Sequence, residues 1–429
     1  MSWILGRFGS RFSLLFEPHH RRVMHSALGR FLDRPLDLKV GLIGTDGEAR
    51  VMPFTRDGMV LDNLEQFERI NSTTFRGYSA ADGLRFEFNV HSVFYPENEG
   101  LCTMPAFYLE LRVNPAPRYR RNEVESLPET VRLFIGVDRP ETDVAASVGD
   151  QAAIDLAYDV DLAPDTGQPG IDPASTGRVS VQERIVSLNE GCEVNEAGNG
   201  LVLELPVTRE GSGVKWRLVW GAYCGDPVMQ VKTGGGSHQA RLHYTDWWEN
   251  VDEVLDEAIE SRDYRLSLSR RFEKLIDETS LEQSERHLLH LGFQSMVTNA
   301  WWLNVEELNR QWFTVWEGSS LFHQTLDVAY NTSLFYLSLW PDLLRRMLIQ
   351  RLDFWEAHEP SGGAYLPHDI GVGMEIGRQA FDVEMPVEEN ANFLLMLQAY
   401  AHFTADLEPV QEAGPLIEQL TRYLMWCDR

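Results

Sequence analysis

The sequence predicts a two-domain protein, in which an N-terminal β-sandwich is followed by a helical barrel of the (α/α)6 type. Three observations lead to this fold class: the length of 429 residues, a strand-type pattern in the first part of the chain, and a helical pattern in the rest. A single hydrophobic core rarely grows beyond about 250–300 residues, so a chain of this length is expected to divide. We place the domains at 1–245 and 246–429.

Strand-type patterning fills residues 36–245, where short β-branched and aromatic runs are broken by Gly, Pro, Asp and Asn. From Phe86 to Val90 apolar and polar side chains alternate, which is the period of a half-buried strand. The Pro- and Gly-rich stretch at 162–183 predicts a long surface loop. Strands are predicted at 38–43, 84–95, 106–113, 131–137, 201–207 and 214–223.

Helical patterning begins after Trp248, where apolar residues recur three and four positions apart. Helices are predicted at 248–277, 281–301, 327–338, 341–357, 387–405 and 415–426. A closed (α/α)6 barrel needs more helices than these. The barrel is therefore expected to be incomplete at its C-terminus, and either a missing C-terminal half or a second copy in a homo-oligomer would complete it.

Composition limits the expected partners. The formal net charge of -27 argues against nucleic acid and against an anionic membrane, because both need a basic surface. A neutral or cationic ligand fits better, and a small carbohydrate is the substrate that we expect. The four cysteines are widely spaced and form no metal-binding pattern, and we expect no metal and no cofactor. The N-terminus lacks the apolar run of a secretory signal, which predicts a cytoplasmic protein.

Glu317 is the first candidate for a functional residue. It lies between aromatic residues and a glycine, in the run Trp316-Glu317-Gly318. Lone acids favour solvated helix faces, so this position predicts a role beyond solubility. Asp327 follows ten residues later, and a His-Asp pair comes at 368 and 369. Acids, a histidine and aromatic rings on successive loops suit an enzyme that handles a polyhydroxylated substrate.

These residues also have purely structural interpretations. Asp327 fits the N-cap of the helix that follows it. The His368-Asp369 pair fits an Asx-turn after a proline. Neither pattern alone decides between structure and function.

The acids after Pro386 fit the first turn of a helix, where the helix dipole favours negative charge. Glu388 and Asn392 are four residues apart and share a helix face. Both are expected to point into the barrel lumen and to contact substrate, whereas capping is the preferred interpretation of Glu389.

The order of these motifs resembles glycoside hydrolase families 52 and 116. Those enzymes join a β-sandwich to an (α/α)6 barrel, and they include β-xylosidases and β-glucosidases. The motifs that carry the resemblance are Trp316-Glu317-Gly318, Thr325-Leu326-Asp327-Val328, Trp340-Pro341 and His368-Asp369-Ile370-Gly371.

The resemblance implies a retaining glycoside hydrolase that acts on β-linked xylosides or glucosides. Glu317 matches the nucleophile, while Trp316, Asp327, His368 and Asp369 match the surroundings of the sugar. In these families the general acid is an aspartate further downstream, so it is expected outside this chain and the chain alone is expected to be inactive or weak. Within the chain the candidates for this acid are Asp382, Glu388 and Glu389.

A second resemblance competes with the first. The run Glu384-Met385-Pro386-Val387-Glu388-Glu389-Asn390 resembles the central domain of glutaminase A-type proteins. That domain is also an α/α toroid, so the expected fold is the same under either resemblance. The activity differs, and two alternatives remain open: a glutaminase-type amidohydrolase and a non-catalytic carbohydrate-binding subunit.

Overall fold

The computed structural model of the protein describes residues 2–26, 34–116, 127–162, 177–207 and 213–428. Most of the loop predicted at 162–183 lies outside these residues. Its last part does not form a loop, since Arg178–Ser187 is a strand. Val179, Val181 and Ile185 alternate into the core there, and this period outweighs the turn-forming composition that precedes it.

In its described residues the N-terminal half consists mainly of strands and includes a short α-helix, α1 (Glu99–Thr103). The strands up to residue 242 are β1 (Trp3–Gly6), β2 (Ser13–Glu17), β3 (Arg22–Ser26), β4 (Arg34–Ile43), β5 (Ala49–Val51), β6 (Met59–Val60), β7 (Asp62–Glu68), β8 (Ser72–Ser79), β9 (Leu84–His91), β10 (Ala106–Pro115), β11 (Thr130–Asp138), β12 (Asp143–Val148), β13 (Ala152–Asp161), β14 (Arg178–Ser187), β15 (Cys192–Val194), β16 (Gly200–Pro206), β17 (Val214–Tyr223), β18 (Met229–Thr233) and β19 (Gly236–Leu242).

Two large sheets form the predicted sandwich. Within the described ranges, one sheet has eight strands in the order β12-β13-β14-β17-β10-β9-β8-β7, and all of its pairings are antiparallel. The other follows the order β1-β2-β3-β4-β11-β16-β15, with β5 and β6 attached to β4. Alternating residues of both sheets fill one common core. The β-sandwich predicted from the sequence is therefore confirmed.

The C-terminal half is mainly helical, as predicted, but it also contains short strands. Its helices are α2 (Val251–Glu260), α3 (Arg262–Asp277), α4 (Gln283–Asn299), α5 (Leu326–Leu339), α6 (Pro341–Arg351), α7 (Pro386–Thr404) and α8 (Glu408–Cys427). Its strands are β20 (Ala300–Val305), β21 (Arg310–Val315), β22 (Glu356–His358), β23 (Gly363–Tyr365), β24 (Gly371–Val372) and β25 (Glu375–Ile376).

Four predicted helices had wrong boundaries, among them the last, which was expected at 415–426 and spans Glu408–Cys427. The helix expected at 248–277 is divided at Ser261, whose hydroxyl donates to the Glu257 carbonyl at 2.6 Å. The helix at 281–301 ends at Asn299, because the aromatic run that follows it pairs as a strand. The helix at 341–357 ends at Arg351. Bulky apolar runs fit a buried strand as well as a helix, so periodicity alone did not separate the two.

A sheet crosses the predicted domain boundary. Strand β19 pairs with β20, where Leu242 lies opposite Leu303. Strand β18 pairs in parallel with β25, where Val231 lies opposite Ile376. Residues from both sides of position 245 thus share one sheet. Backbone hydrogen bonds therefore cross the predicted domain boundary, and the boundary itself stays a prediction.

The N-terminal segment packs between the two halves through Phe8. The Phe8 ring stacks on Trp340, with the ring centroids 5.7 Å apart, and meets Trp302 edge-on at 6.0 Å. It also contacts Phe94 of the sandwich and Phe313 of β21. Aromatic pairs of this kind add about 0.5–1.5 kcal/mol each beyond the burial of their area. This cluster joins the sandwich to the helical half.

Arg7, beside it, is fully buried and serves as a hydrogen-bond donor to the loop around α1. Its guanidinium donates to the carbonyls of Leu101 at 2.7 Å, Met104 at 2.9 Å and Cys102 at 3.2 Å, and also to that of Val93. Burial lowers the pKa of Arg7 to about 10, which still leaves it charged at neutral pH. One side chain thus satisfies carbonyls that have little access to water.

No helix in the described part of the chain is long and apolar enough to cross a membrane.

Replacing Arg7 by methionine should destabilise the protein. The Arg7→Met variant keeps the apolar stem but leaves buried carbonyls without a donor, so the free energy of unfolding should fall by about 3 kcal/mol or more in urea titrations. The control is Arg422→Met on α8, where the exposed Arg422 is 3.7 Å from Glu418, and it should change stability by less than about 0.5 kcal/mol. Equal stability of the two variants would contradict the role assigned to Arg7.

Candidate active site

The first turn of α7 places two adjacent acids in opposite environments. Pro386 occupies the first helical position, and Glu388 and Glu389 follow in the first turn, where the helix dipole favours acids. Neighbouring helical residues point in different directions, so Glu388 is exposed while Glu389 is fully buried. The capping interpretation of Glu389 explains its position in the sequence but not its burial.

The carboxyl group of Glu389 is the unusual feature of this region. It has 0% exposure, and neither of its oxygens has a hydrogen-bond partner among the described residues. Burial raises the pKa of Glu389 to about 7; the charge of Arg351 opposes this shift, and that of Asp327 adds to it. A buried carboxyl of this kind exchanges its proton near neutral pH, as a general acid or base must.

Asp327 and His368 lie beside Glu389. One oxygen from each acid and one ring nitrogen of His368 all fall within 4.8 Å of one another. The Asp327 Oδ1 atom is 4.0 Å from His368 Nε2, and the Asp327 side chain is 32% exposed. The cluster therefore reaches solvent through Asp327. In the described chain these three side chains also have the atom types and spacing that a divalent cation would require.

Asp369 fixes the orientation of His368. The His368 Nδ1 atom is 3.1 Å from Asp369 Oδ2. The fully buried Asp369 carboxylate also accepts the backbone N–H groups of Gly371 at 3.0 Å, Ala380 at 2.9 Å and Phe381 at 3.0 Å. Because the carboxylate is held from several directions, the imidazole ring is held too, and Nε2 is directed towards Asp327.

The electrostatic environment of His368 has opposing contributions. Burial lowers its pKa, but the hydrogen bond and the charge of Asp369 outweigh that effect, so the pKa of His368 is raised. Arg351, which is buried beneath the loop, donates to the carbonyls of Pro367 at 3.0 Å and His368 at 3.3 Å. Asp369 thus holds the imidazole ring of His368, and Arg351 holds its backbone carbonyl.

Backbone hydrogen bonds bring the three parts of the cluster together. The N–H group of Leu326, at the start of α5, donates to the His368 carbonyl at 2.9 Å. Asn390 on α7 accepts the Leu366 N–H at 2.9 Å and donates to the Ala364 carbonyl at 3.2 Å. The starts of α5 and α7 are therefore both attached to the 364–368 segment, and this attachment sets the spacing of Asp327, His368 and Glu389.

Glu317 lies in a different pocket. Its Oε2 atom accepts the Thr325 hydroxyl at 2.7 Å, and its side chain is partly buried. It lines a cavity of about 220 Å³ between α4 and α5 whose walls include Asn299 and Tyr336 but neither Asp327 nor His368. The structure thus brings Asp327, His368 and Asp369 together and does not bring Glu317 into their cluster.

The remaining predicted site residues, Trp316, Glu388 and Asn392, lie outside the cluster of Asp327, His368 and Glu389. Trp316 is buried, its Nε1 donates to the Gly373 carbonyl at 3.1 Å, and the Arg11 guanidinium stacks 4.5 Å above its ring. Glu388 and Asn392 were expected to point together into the barrel lumen. Asn392 is buried on α7, but Glu388 is exposed, so the two side chains have different surroundings. Their contacts with substrate stay predictions.

A signal in the sequence could have identified Glu389 as an inward residue. The buried face of α7 consists of Phe393, Met396, Leu397 and Tyr400, which lie 4, 7, 8 and 11 residues after Glu389. These are the spacings of one helix face, and Glu389 extends that face by one turn. An acid in line with an apolar stripe is unusual, and it is the pattern of a buried functional carboxyl.

The raised pKa predicts a pH-dependent stability difference for Glu389→Gln. Between about pH 4.3 and 7 the unfolded chain loses this proton while the folded protein keeps it, so wild-type stability falls as pH rises, by up to about 4 kcal/mol. The glutamine variant has no such titration. Measured by urea unfolding, its stability relative to wild type should rise across this window and level off above pH 7.

Glu388→Gln is the matched control for that measurement, because it removes the adjacent but exposed acid. It should track the wild-type pH profile. Parallel profiles for wild type and Glu389→Gln would show that the Glu389 carboxyl is not perturbed.

Comparisons with known proteins find a similarity in the C-terminal part of the chain. No curated protein sequence matches this chain. One similar solved structure is that of a protein assigned as a kojibiose phosphorylase, from the human microbiome; it is 10% identical to this chain, and its TM-score of 0.35 does not establish a shared fold. The match covers 94% of this chain and 50% of that one. This chain thus spans about half the length of that structure. Residues 292–427 match the family model of the glutaminase A six helical-hairpin domain, so the second resemblance is confirmed, while that to glycoside hydrolase families 52 and 116 stays a prediction.

Proposed function

We propose that this protein is a carbohydrate-active hydrolase in which Asp327 and Glu389 are the reacting carboxyl pair. The supporting observation is their geometry: two carboxyl oxygens within 4.8 Å, one of them fully buried and without a hydrogen-bond partner among the described residues. Retaining glycosidases need carboxyl groups about 5–5.5 Å apart, and inverting enzymes a wider gap of about 6.5–9.5 Å. The spacing favours the retaining mechanism.

The two acids differ in the way that the mechanism requires. Glu389, buried and with a raised pKa, holds the proton that the leaving glycosidic oxygen needs. Asp327 is the more exposed carboxylate, and in this proposal it attacks the anomeric carbon to form a glycosyl-enzyme. Water then hydrolyses that intermediate, giving its proton back to Glu389. The substrates proposed, β-linked xylosides or glucosides, follow from the resemblance in motif order.

In this proposal His368, held in place by Asp369, acts on the sugar and not on the bond that breaks. His368 Nε2 faces the gap beside Asp327, within reach of a hydroxyl group of a bound sugar. The bond to Asp369 restricts the ring to one orientation, so less rotational freedom is lost when substrate binds.

Glu317 is the competing nucleophile, proposed from the order of the motifs. Its carboxyl oxygen is bound by the Thr325 hydroxyl, and its cavity of about 220 Å³ adjoins the start of α5. A reaction there would need a general acid that the cavity lining does not contain among the described residues.

A glutaminase-type amidohydrolase is the second candidate function. The specific observation in its favour is the match of residues 292–427 to the glutaminase A six helical-hairpin domain. Under this proposal the same carboxyl cluster would act on an amide bond, with Glu389 transferring the proton to the leaving amine.

The glycosidase proposal predicts that Glu389→Gln lowers kcat on fluorogenic β-xylosides or β-glucosides by about 10²–10⁴-fold, the usual contribution of a general acid. Glu388 is exposed and outside the carboxyl cluster, so Glu388→Gln should retain activity under this proposal, whereas a comparable loss would support its predicted contact with substrate. A 2-fluoroglycoside should add one sugar mass to the protein, and peptide mapping should find it on Asp327.

Other outcomes of these assays decide between the alternatives. An adduct on Glu317 would transfer the nucleophile to that residue. Glutamine hydrolysis without glycoside turnover would favour the amidohydrolase, and activity lost in EDTA and restored by a divalent cation would assign the cluster to a metal. If no probe gives turnover or an adduct, an enzymatic role for this chain is refuted.

A further inference from the structure

We propose that the outer face of the eight-stranded sheet binds an oligosaccharide that carries carboxylate groups. The site is a cleft formed by β7–β10 and β17 on one side and by α3 and α4 on the other, and it shares no lining residue with the carboxyl pair. Only the choice of a saccharide rests on the proposed function, whereas the preference for an anion rests on the cleft itself.

The cleft is large and elongated. Its volume is about 1640 Å³, and most of its lining residues are polar or charged. The five strands that form its floor lie side by side, and neighbouring strands are about 4.8 Å apart, so the floor is about 19 Å wide. A site of this size fits several linked sugar units better than a single one.

Outward-facing polar side chains form rows across the floor. Alternate residues of a strand point to the same face, so Glu87, Asn89 and His91 of β9 all face the cleft. Asn89 lies opposite Glu110 on one neighbouring strand and Thr74 on the other. The Thr74 hydroxyl donates to Asn89 Oδ1 at 2.6 Å. Planar amide, hydroxyl and imidazole groups at strand spacing match the hydroxyl groups along an extended saccharide.

Most acids in the cleft are already neutralised by basic partners. Glu87 is 2.8 Å from Arg76, and Glu110 is 3.5 Å from Lys215. Arg112, directly across from Glu87 in the sheet register, has neither an ion pair nor a hydrogen bond within the described chain, and its Nε is buried without a partner. The local excess of positive charge is therefore centred on Arg112.

A second cation faces the same space from α3. Arg270 lines the cleft and forms no ion pair with any described residue. Phe67 lies at the edge with 46% of its area exposed, and the Arg76 guanidinium is 4.5 Å from its ring centroid. An apolar ring beside charged donors is the combination that a sugar ring bearing a carboxylate requires.

His91 lies on the floor between these groups. Burial, together with the charges of Arg270, Arg262 and Arg69, lowers the pKa of His91 to about 3, so its ring is neutral at physiological pH. A neutral imidazole has one donor and one acceptor and can bind a hydroxyl group in either role. The unpaired positive charge of the site thus comes from Arg112 and Arg270, while the histidine serves the uncharged part of the ligand.

The whole chain has a net charge of -27, which repels anions at long range. Arg112 and Arg270 nevertheless have no acidic partner among the described residues, so each is available to pair with an anion in the cleft. An anionic ligand supplies that pairing through short, charge-assisted hydrogen bonds.

The test uses the full chain with Glu389→Gln, which removes turnover without altering the cleft. Calorimetry at low ionic strength should detect binding of tetragalacturonate and much weaker binding of cellotetraose, a neutral chain of equal length. Added in turn, Arg112→Gln and Arg270→Gln should each weaken tetragalacturonate binding about tenfold or more. Arg422→Gln on α8 is the matched control and should leave binding unchanged.

Three results would overturn the inference: no binding of tetragalacturonate at millimolar concentration, equal affinity for the neutral chain, or unchanged affinity in both arginine variants. These outcomes are separate from failure of the proposed function. A protein without glycosidase activity can still bind tetragalacturonate in the cleft, and an active one can fail to bind it.

Discussion

The buried carboxylate of Asp369 is the constraint on which the candidate site depends. A charge without exposure to water is tolerated only when hydrogen bonds replace its hydration. Here three backbone N–H groups from residues 371–381 and the ring of His368 all bind it. The loop must close around this one group, and the closure sets the position of His368 relative to Asp327 at the start of α5.

Glu389, twenty residues later, is buried to the same degree but has no hydrogen-bond partner among the described residues. Asp369 therefore stabilises the loop that surrounds it, whereas both carboxyl oxygens of Glu389 remain available to bind a proton, a substrate or a cation. Leaving such a group unsatisfied destabilises a fold, and this cost is typical of functional sites. The contrast between the two acids is a stronger indication of a reactive group than the presence of either acid alone.

Support for this loop comes from both halves of the molecule. Strands β24 and β25, which follow Asp369, join the sheet that contains β18 and β19 of the N-terminal half. The N-terminal segment reinforces this connection, since Phe8 packs against aromatic rings on both sides. The sandwich and the helical half therefore position the candidate site together.

The sequence by itself determined the fold class and six strands of the sandwich, because these follow from local periodicity, and its motif order placed Asp327, His368 and Asp369 in one site, although together with Glu317. It did not determine the β20–β21 hairpin, since buried aromatic runs suit a strand or a helix and only pairing partners decide. It also gave Glu317 priority over Glu389. Burial and missing hydrogen-bond partners are properties of surroundings that distant segments create, so only the tertiary structure distinguished Glu389 from its exposed neighbour Glu388.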